Sequence, residues 1–248
     1  MKKILVTGDR GYIGATLVPM LLQKEYEVVG LDTNFFQIEF QPPTNKKEYK
    51  QITKDIRNVE EKDLEGIDAI VHLSALSNDP MGEINPGLTE QINFEASLKL
   101  AEFAKNAGVK RFLFSSSCSI YGIAKDGIVD ESSSVNPLTA YAKSKIDTEN
   151  ELIKLADESF TVGLLRNATV FGYSPKFRND LVVNNLTTTA LAYSEIRMMS
   201  DGSPWRPLID VRDLSNVFIT FLESESTKIN ARIVNVGFSD SNFQVKQL

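Results

Sequence analysis

The residues best placed to do chemistry lie in three groups. A run of hydroxyls, Ser115-Ser116-Ser117, closes an apolar stretch that begins at Arg111. Tyr141 and Lys145 are four apart, the spacing that sets two side chains on one face of a helix. Gly8, Gly11 and Gly14 punctuate Thr7-Gly8-Asp9-Arg10-Gly11-Tyr12-Ile13-Gly14. A free tyrosine ionises near pH 10, so holding it largely ionised at neutral pH requires roughly 4 kcal/mol. A neighbouring ammonium supplies that electrostatically. Tyr141, Lys145 and Ser117, which lies 24 residues before Tyr141, form a candidate group for moving a proton at one substrate hydroxyl.

Such residues converge only if a scaffold brings them to one edge. Short apolar runs at 3–7, 27–31, 69–73, 111–115 and 161–165 are predicted strands, and 15–24, 89–106 and 141–156 are predicted helices. Alternating short strands and longer helices predict an α/β fold, a Rossmann-type doubly wound parallel sheet. The texture changes after Phe171, where Gly172-Tyr173-Ser174-Pro175 and Gly202-Ser203-Pro204-Trp205 are loop-like. Residues 1–170 and 210–238 are therefore expected to form a dinucleotide-binding domain, and 171–209 with 239–248 a smaller, irregular substrate lobe. Residues 231–236 are a further predicted strand. The segment 244–248 has the pattern of a helix start, so the lobe is expected to be incomplete.

The glycine segment lies between a strand and a helix, the setting in which backbone amides at a helix N-terminus hold a pyrophosphate. Gly8, Arg10, Gly11, Tyr12, Ile13 and Gly14 are the expected lining of that loop. Asp32 lies 18 residues past Gly14 at the end of Val28-Val29-Gly30-Leu31, where a carboxylate accepts from a ribose diol and repels a 2′-phosphate. That favours NAD. Arg10 argues the other way, since a guanidinium in this loop suits the extra phosphate of NADP. Asp55 and Ile56 either flank the adenine or form a solvated loop.

Composition narrows the partners. A hydrophobic content of 42% and a charged content of 24% are those of an ordinary folded domain. The net charge of −6 gives no electrostatic footprint for nucleic acid or an anionic membrane, and no apolar run approaches a membrane span. Cys118 is the one cysteine, so no intrachain disulfide is possible and a cytoplasmic location is expected. His72 is the one histidine; a Ser-His-Asp triad would depend wholly on it, and a structural role is favoured. Cys118 reads as a small buried filler rather than a nucleophile. No His/Cys cluster has metal-ligand spacing.

Taken together the motifs resemble the extended short-chain dehydrogenases/reductases, the NAD-dependent epimerase/dehydratase group acting on nucleotide sugars. The resemblance runs from residue 3 to about 240. Beside the glycine loop it rests on His72-Leu73-Ser74-Ala75, Asn93, the 115–122 segment ending Ile120-Tyr121-Gly122, Tyr141 with Lys145, and Arg166 followed by Phe171-Gly172. It rests also on Arg206-Pro207-Leu208-Ile209-Asp210-Val211-Arg212-Asp213. It implies that Tyr141 is the acid/base, Lys145 its partner and a ribose ligand, and Ser117 an aid on the same substrate oxygen. It further implies that Leu73, Ser74 and Ala75 lie beside the cofactor, and that Asn93 supports the catalytic helix. Arg206 would clamp a nucleotide diphosphate, a role suited to an arginine fork, or else form a surface salt bridge. Thr169, Arg178 and Asn184 are further candidates on the substrate side. A homodimer through the helices 89–106 and 141–156 is also implied.

Two positions depart from the family pattern. Family dehydratases follow the catalytic hydroxyl with Asp-Glu, where this chain has Cys118-Ser119. Many sugar epimerases have Asn where this chain has Thr169. The first departure favours an epimerase, most simply at C4 through a transient keto sugar. A 4,6-dehydratase or a keto-sugar reductase is the alternative within the family, and a non-catalytic dinucleotide sensor the alternative outside enzymes.

Overall fold

The computed structural model describes residues 2–35, 49–77, 79–122, 127–198 and 200–248. The chain opens with β1 (Lys3–Thr7), α1 (Gly14–Gln23), β2 (Glu27–Asp32), β3 (Tyr49–Thr53) and β4 (Ala69–His72). Next come α2 (Asp79–Ile84), α3 (Pro86–Glu90), a π-helical turn (Gln91–Glu95) and α4 (Ala96–Asn106). β5 (Arg111–Ser117), α5 (Ala140–Leu155), β6 (Thr161–Asn167), β7 (Thr169–Phe171) and α6 (Val182–Tyr193) follow. The last are β8 (Trp205–Asp210), α7 (Val211–Glu223), α8 (Ser226–Ile229), β9 (Arg232–Val236) and β10 (Asn242–Gln244).

Seven parallel strands form one sheet in the order β3-β2-β1-β4-β5-β6-β9. The inner strands are apolar on both faces because both are covered. On one side Ile4, Val6, Val71, Leu113 and Leu165 meet α1 and α7 through Leu17, Leu21, Leu214 and Phe218. On the other, Leu5, Ile70, Phe112, Phe114 and Leu164 meet α4 and α5 through Leu100, Ala104 and Leu152. Each buried Leu, Ile or Phe contributes about 1.5–3 kcal/mol. This is the doubly wound Rossmann arrangement, and strand order reverses between β1 and β4, where such folds bind ligands beyond the strand ends.

β7, β8 and β10 form a second, three-stranded sheet, β8 pairing parallel with β7 and antiparallel with β10. The end of the chain thus differs from the helix start expected at 244–248. Asn242–Gln244 pairs along β8, and only Val245–Gln247 turns, as a single 3-10 turn boxed by the Gln244 and Gln247 side chains. The helix expected at 89–106 forms, running on from α3 into α4, but it passes through a π-helical turn at Gln91–Glu95, where Asn93 is buried. No helix among the described residues is long and apolar enough to cross a membrane.

Candidate active site

The glycine loop follows β1 at the switch point. Gly8 has φ +70°, a conformation that favours glycine, and a Cβ there would meet the Ser74 backbone at 3.0 Å. A Cβ on Gly14 would sit 2.3 Å from the Gly8 carbonyl oxygen, so this glycine closes the turn onto α1. The first turn of α1 carries no acidic residue, leaving its positive end open to an anion. Ser74 and Leu73 are drawn to this turn by their N–H groups, which donate to Thr7 Oγ1 at 3.3 and 3.2 Å. Asp32 ends β2, and its Oδ1 accepts the Asn34 N–H at 2.8 Å. Arg10 Nη1 lies 3.4 Å from Asn34 Oδ1. Asp55 is engaged by the Arg57 guanidinium at 2.8 and 3.0 Å and caps the turn that begins at buried Ile56.

A feature absent from the sequence reading lies beneath this loop. Asp9 is fully buried, receives the Tyr49 hydroxyl at 2.6 Å, and occupies space that exists because residue 30 is glycine. A Cβ on Gly30 would lie 2.2 Å from Asp9 Oδ2. Burial pushes the Asp9 carboxyl up to about 6; the Tyr49 hydrogen bond opposes this and the nearby Asp32 charge adds to it.

Lys145 brings α5, and with it Tyr141, against the carboxyl end of β5. Thr139 caps α5 by accepting the Ala142 N–H at 3.1 Å, so Tyr141 enters on the first turn. Lys145 is buried one turn later; its ammonium donates to the Ser115 carbonyl at 2.7 Å and lies 4.6 Å from the Phe114 ring centre. It is 5.6 Å from the ring centre of Tyr141. Burial brings the Lys145 ammonium down to about 7, opposed by the Glu149 charge. Ser117 ends the same strand two residues past Ser115, and its oxygen accepts the Ser119 N–H at 3.2 Å.

Asn93 is buried behind this edge. Its amide donates to the Leu76 carbonyl at 3.0 Å and to Ser144 Oγ at 3.2 Å, while its oxygen accepts the Leu76 N–H at 2.8 Å. One side chain thereby ties the loop carrying Ala75 to α5. His72 is buried between Thr7 Oγ1 at 2.6 Å and Ser97 Oγ at 2.7 Å, and burial holds its imidazole down at about 3. Both ring nitrogens of His72 are thus engaged within the fold.

The Cys118 thiol lies within reach of Thr169 on β7 and of the Arg206 charge on β8. Burial pushes the Cys118 thiol up to about 11, with the Arg206 charge opposing. Arg206 itself is exposed and donates to the Trp205 carbonyl at 2.8 Å. Arg178 is paired with Asp180 at 2.6 Å and donates to Ser77 Oγ at 2.8 Å. Asn184 is buried, and its amide is taken up by the protein: it accepts the Gly172 N–H at 3.0 Å and donates to the Tyr12 hydroxyl and the Arg178 carbonyl. Asn167, in register with Ser117, keeps a buried Oδ1 with no hydrogen-bond partner among the described residues. An unmatched buried acceptor at a strand edge marks a place for a ligand donor; the polar residue ending an apolar strand was its signal in the sequence.

The glycines that admit no side chain, the acid-free start of α1, Asp32 and the orphaned Asn167 oxygen all fit a dinucleotide laid across the sheet edge. Fold and site define an NAD-dependent enzyme of the short-chain dehydrogenase/reductase type. The model of the NAD dependent epimerase/dehydratase family matches residues 4–237, and the chain belongs to that family. An uncharacterized UDP-glucose epimerase, YtcB of Bacillus subtilis, is 30% identical over 85% of this chain and 69% of its own. Among solved structures, the UDP-N-acetylglucosamine 4-epimerase of Methanobrevibacter ruminantium superposes with a TM-score of 0.88 at 26% identity, covering 99% of this chain and 79% of that one. The NDP-hexosamine 5,6-dehydratase TunA gives a TM-score of 0.87 at 25% identity, covering 100% and 78%.

Proposed function

We propose that this chain is a nucleotide-sugar epimerase acting at C4 through a transient keto sugar. The observation that carries this reading is the edge of β5. There Ser117, Tyr141 and Lys145 would provide for proton exchange at one hydroxyl, while Cys118 and Ser119 stand where a dehydratase needs an acid pair. A thiol held near 11 is a poor proton donor to a leaving hydroxyl at neutral pH. The relatives named above include an epimerase acting on a UDP-sugar, which supports the same substrate class.

NAD, when bound, supplies a reversible hydride acceptor. Gly8, Arg10, Gly11, Tyr12, Ile13, Gly14 and Asp32 would hold its adenosine and pyrophosphate, with Leu73, Ser74 and Ala75 beside it and Asp55 and Ile56 near the adenine. Asn93 would steady the loop and helix from behind. Tyr141 would take the proton from the C4 hydroxyl and later return it, Lys145 would favour the tyrosinate and hold the ribose, and Ser117 would steady the same oxygen. Thr169, Arg178 and Arg206 would line the substrate side, Arg206 facing the diphosphate. Asn184 would act there by fixing the Arg178 carbonyl rather than by touching the sugar. We place the enzyme in the cytoplasm as a homodimer packed through α4 and α5.

Incubation with UDP-, dTDP- and GDP-sugars, followed by NMR of the products, tests the reading. Interconversion of C4 epimers with no net redox change is expected. A 4-keto-6-deoxy product would make the enzyme a dehydratase, and net NADH consumption a reductase. Tyr141→Phe should lower turnover by about 10²–10⁴ and leave NAD affinity in place; an unchanged rate would remove Tyr141 from the mechanism.

A further inference from the structure

Tyr141, Lys145 and Glu149 occupy successive turns on one face of α5. Glu149 is fully buried. Its carboxylate accepts Arg166 Nε at 3.2 Å and Arg166 Nη2 at 2.8 Å, and it also accepts the Ser116 hydroxyl. Arg166 donates through Nη1 to the Tyr121 hydroxyl at 2.8 Å, and Tyr121 donates to Asn235 Oδ1 at 2.7 Å. The carboxylate is thus fixed by β5, β6 and, through Tyr121, β9. A buried ion pair gains little stability over apolar residues of the same shape, so stability alone does not account for it.

Its position does. The groups facing Lys145 are neutral His72 from β4, the Ser115 carbonyl and Phe114 ring from β5, and Tyr141 and Glu149 from α5. Glu149 is the one carboxylate among the described residues whose charge supports the Lys145 ammonium against burial. We propose that Glu149, locked by Arg166, is a positioning residue that keeps Lys145 charged and so sets the pH range over which Tyr141 exchanges its proton. Glu149 lies two turns past Tyr141 on α5, with Lys145 between them, and acts through the lysine. The inference rests on the Tyr141–Lys145 chemistry proposed above, but the charge of Lys145 is measurable without turnover.

The experiment is an NMR titration of ¹³C-lysine-labelled protein without cofactor, with Lys145→Met identifying the signal. Glu149→Gln should lower the Lys145 midpoint by about one pH unit or more, and Glu149→Asp should restore most of it. In parallel, the acid limb of the pH–rate profile with UDP-glucose should move to higher pH in Glu149→Gln, with a fall of about tenfold at pH 7. Should Glu149→Gln fail to fold because Arg166 is left unpaired, the double variant Glu149→Gln/Arg166→Met removes both charges and should move the midpoint in the same direction. A Lys145 midpoint that stays in place overturns the inference, as does a midpoint that moves while the pH profile does not. Full turnover by Tyr141→Phe, by contrast, would remove the functional reading and leave the lysine titration untouched.

Discussion

The Asn184 amide donates to the Tyr12 hydroxyl at 3.3 Å, and Tyr12 donates onward to the Gly172 carbonyl at 2.7 Å. Ser174 adds a third tie by donating to the Tyr12 carbonyl at 2.7 Å. A residue of the cofactor loop is therefore the anchor of the small sheet's first loop. Tyr12→Phe leaves the Gly172 oxygen and the Asn184 amide without their partner. We expect a stability loss of about 1–3 kcal/mol by urea unfolding and a weaker grip on NAD in a binding titration. Unchanged values for both would show that loop and lobe are held independently.

The fit between Asp9 and Gly30 gives a second prediction. Gly30→Ala places a methyl group 2.2 Å from the Asp9 carboxylate within a packed interior. It should cost about 1–3 kcal/mol, and Asp9→Ala in the same chain should recover most of that loss. Thermal unfolding of the two single variants and the double variant gives the coupling directly.

Asp9 also makes stability depend on pH in a direction unusual for a carboxylate. Its folded value is near 6 against 3.8 in a free chain, so between these values the folded state binds the proton and the unfolded state has released it. Stability contributed by this group is present below pH 3.8 and is lost as pH rises toward 6. Asp9→Asn removes the titration. Relative to the parent, the variant should gain about 2–3 kcal/mol between pH 4 and pH 7, read from urea midpoints at each pH. A constant difference would mean that Asp9 is not desolvated.

Cys118 has its thiol pushed up to about 11 by burial, which leaves little thiolate at neutral pH. Alkylation by iodoacetamide at pH 7.5 should be about a hundredfold or more slower than for a free cysteine. Rapid labelling would reopen a chemical role for this position.

The cofactor loop, the parallel strands and the Tyr141–Lys145 pair were legible in the sequence because each is a local pattern: a spacing of glycines, a short apolar run, an interval of four. What stayed hidden depends on distant partners. Glu149 and Arg166 lie on different elements, and nothing near either announces the other. The three-residue strands β7 and β10 are too short to show a period, and their pairing is decided by β8. Asn93 was expected behind the catalytic helix, but the π-helical turn that carries it inward leaves no mark among ordinary helix formers. Asn184 was expected on the substrate side; its amide is instead consumed by Gly172, Tyr12 and Arg178, a fate fixed by packing.

Two of the three links between the sheets are very short. Ala168 alone separates β6 from β7, and β8 passes into α7 with no residue between Asp210 and Val211. Ala168 and Val211 are buried, and Ala168 donates its N–H to the Val236 carbonyl at 2.8 Å. Hinge motion needs a few residues whose backbone angles can swing, and neither junction offers them. The third link, residues 237–241 between β9 and β10, is longer, so the two tight crossings are what restrain the small sheet against the large one.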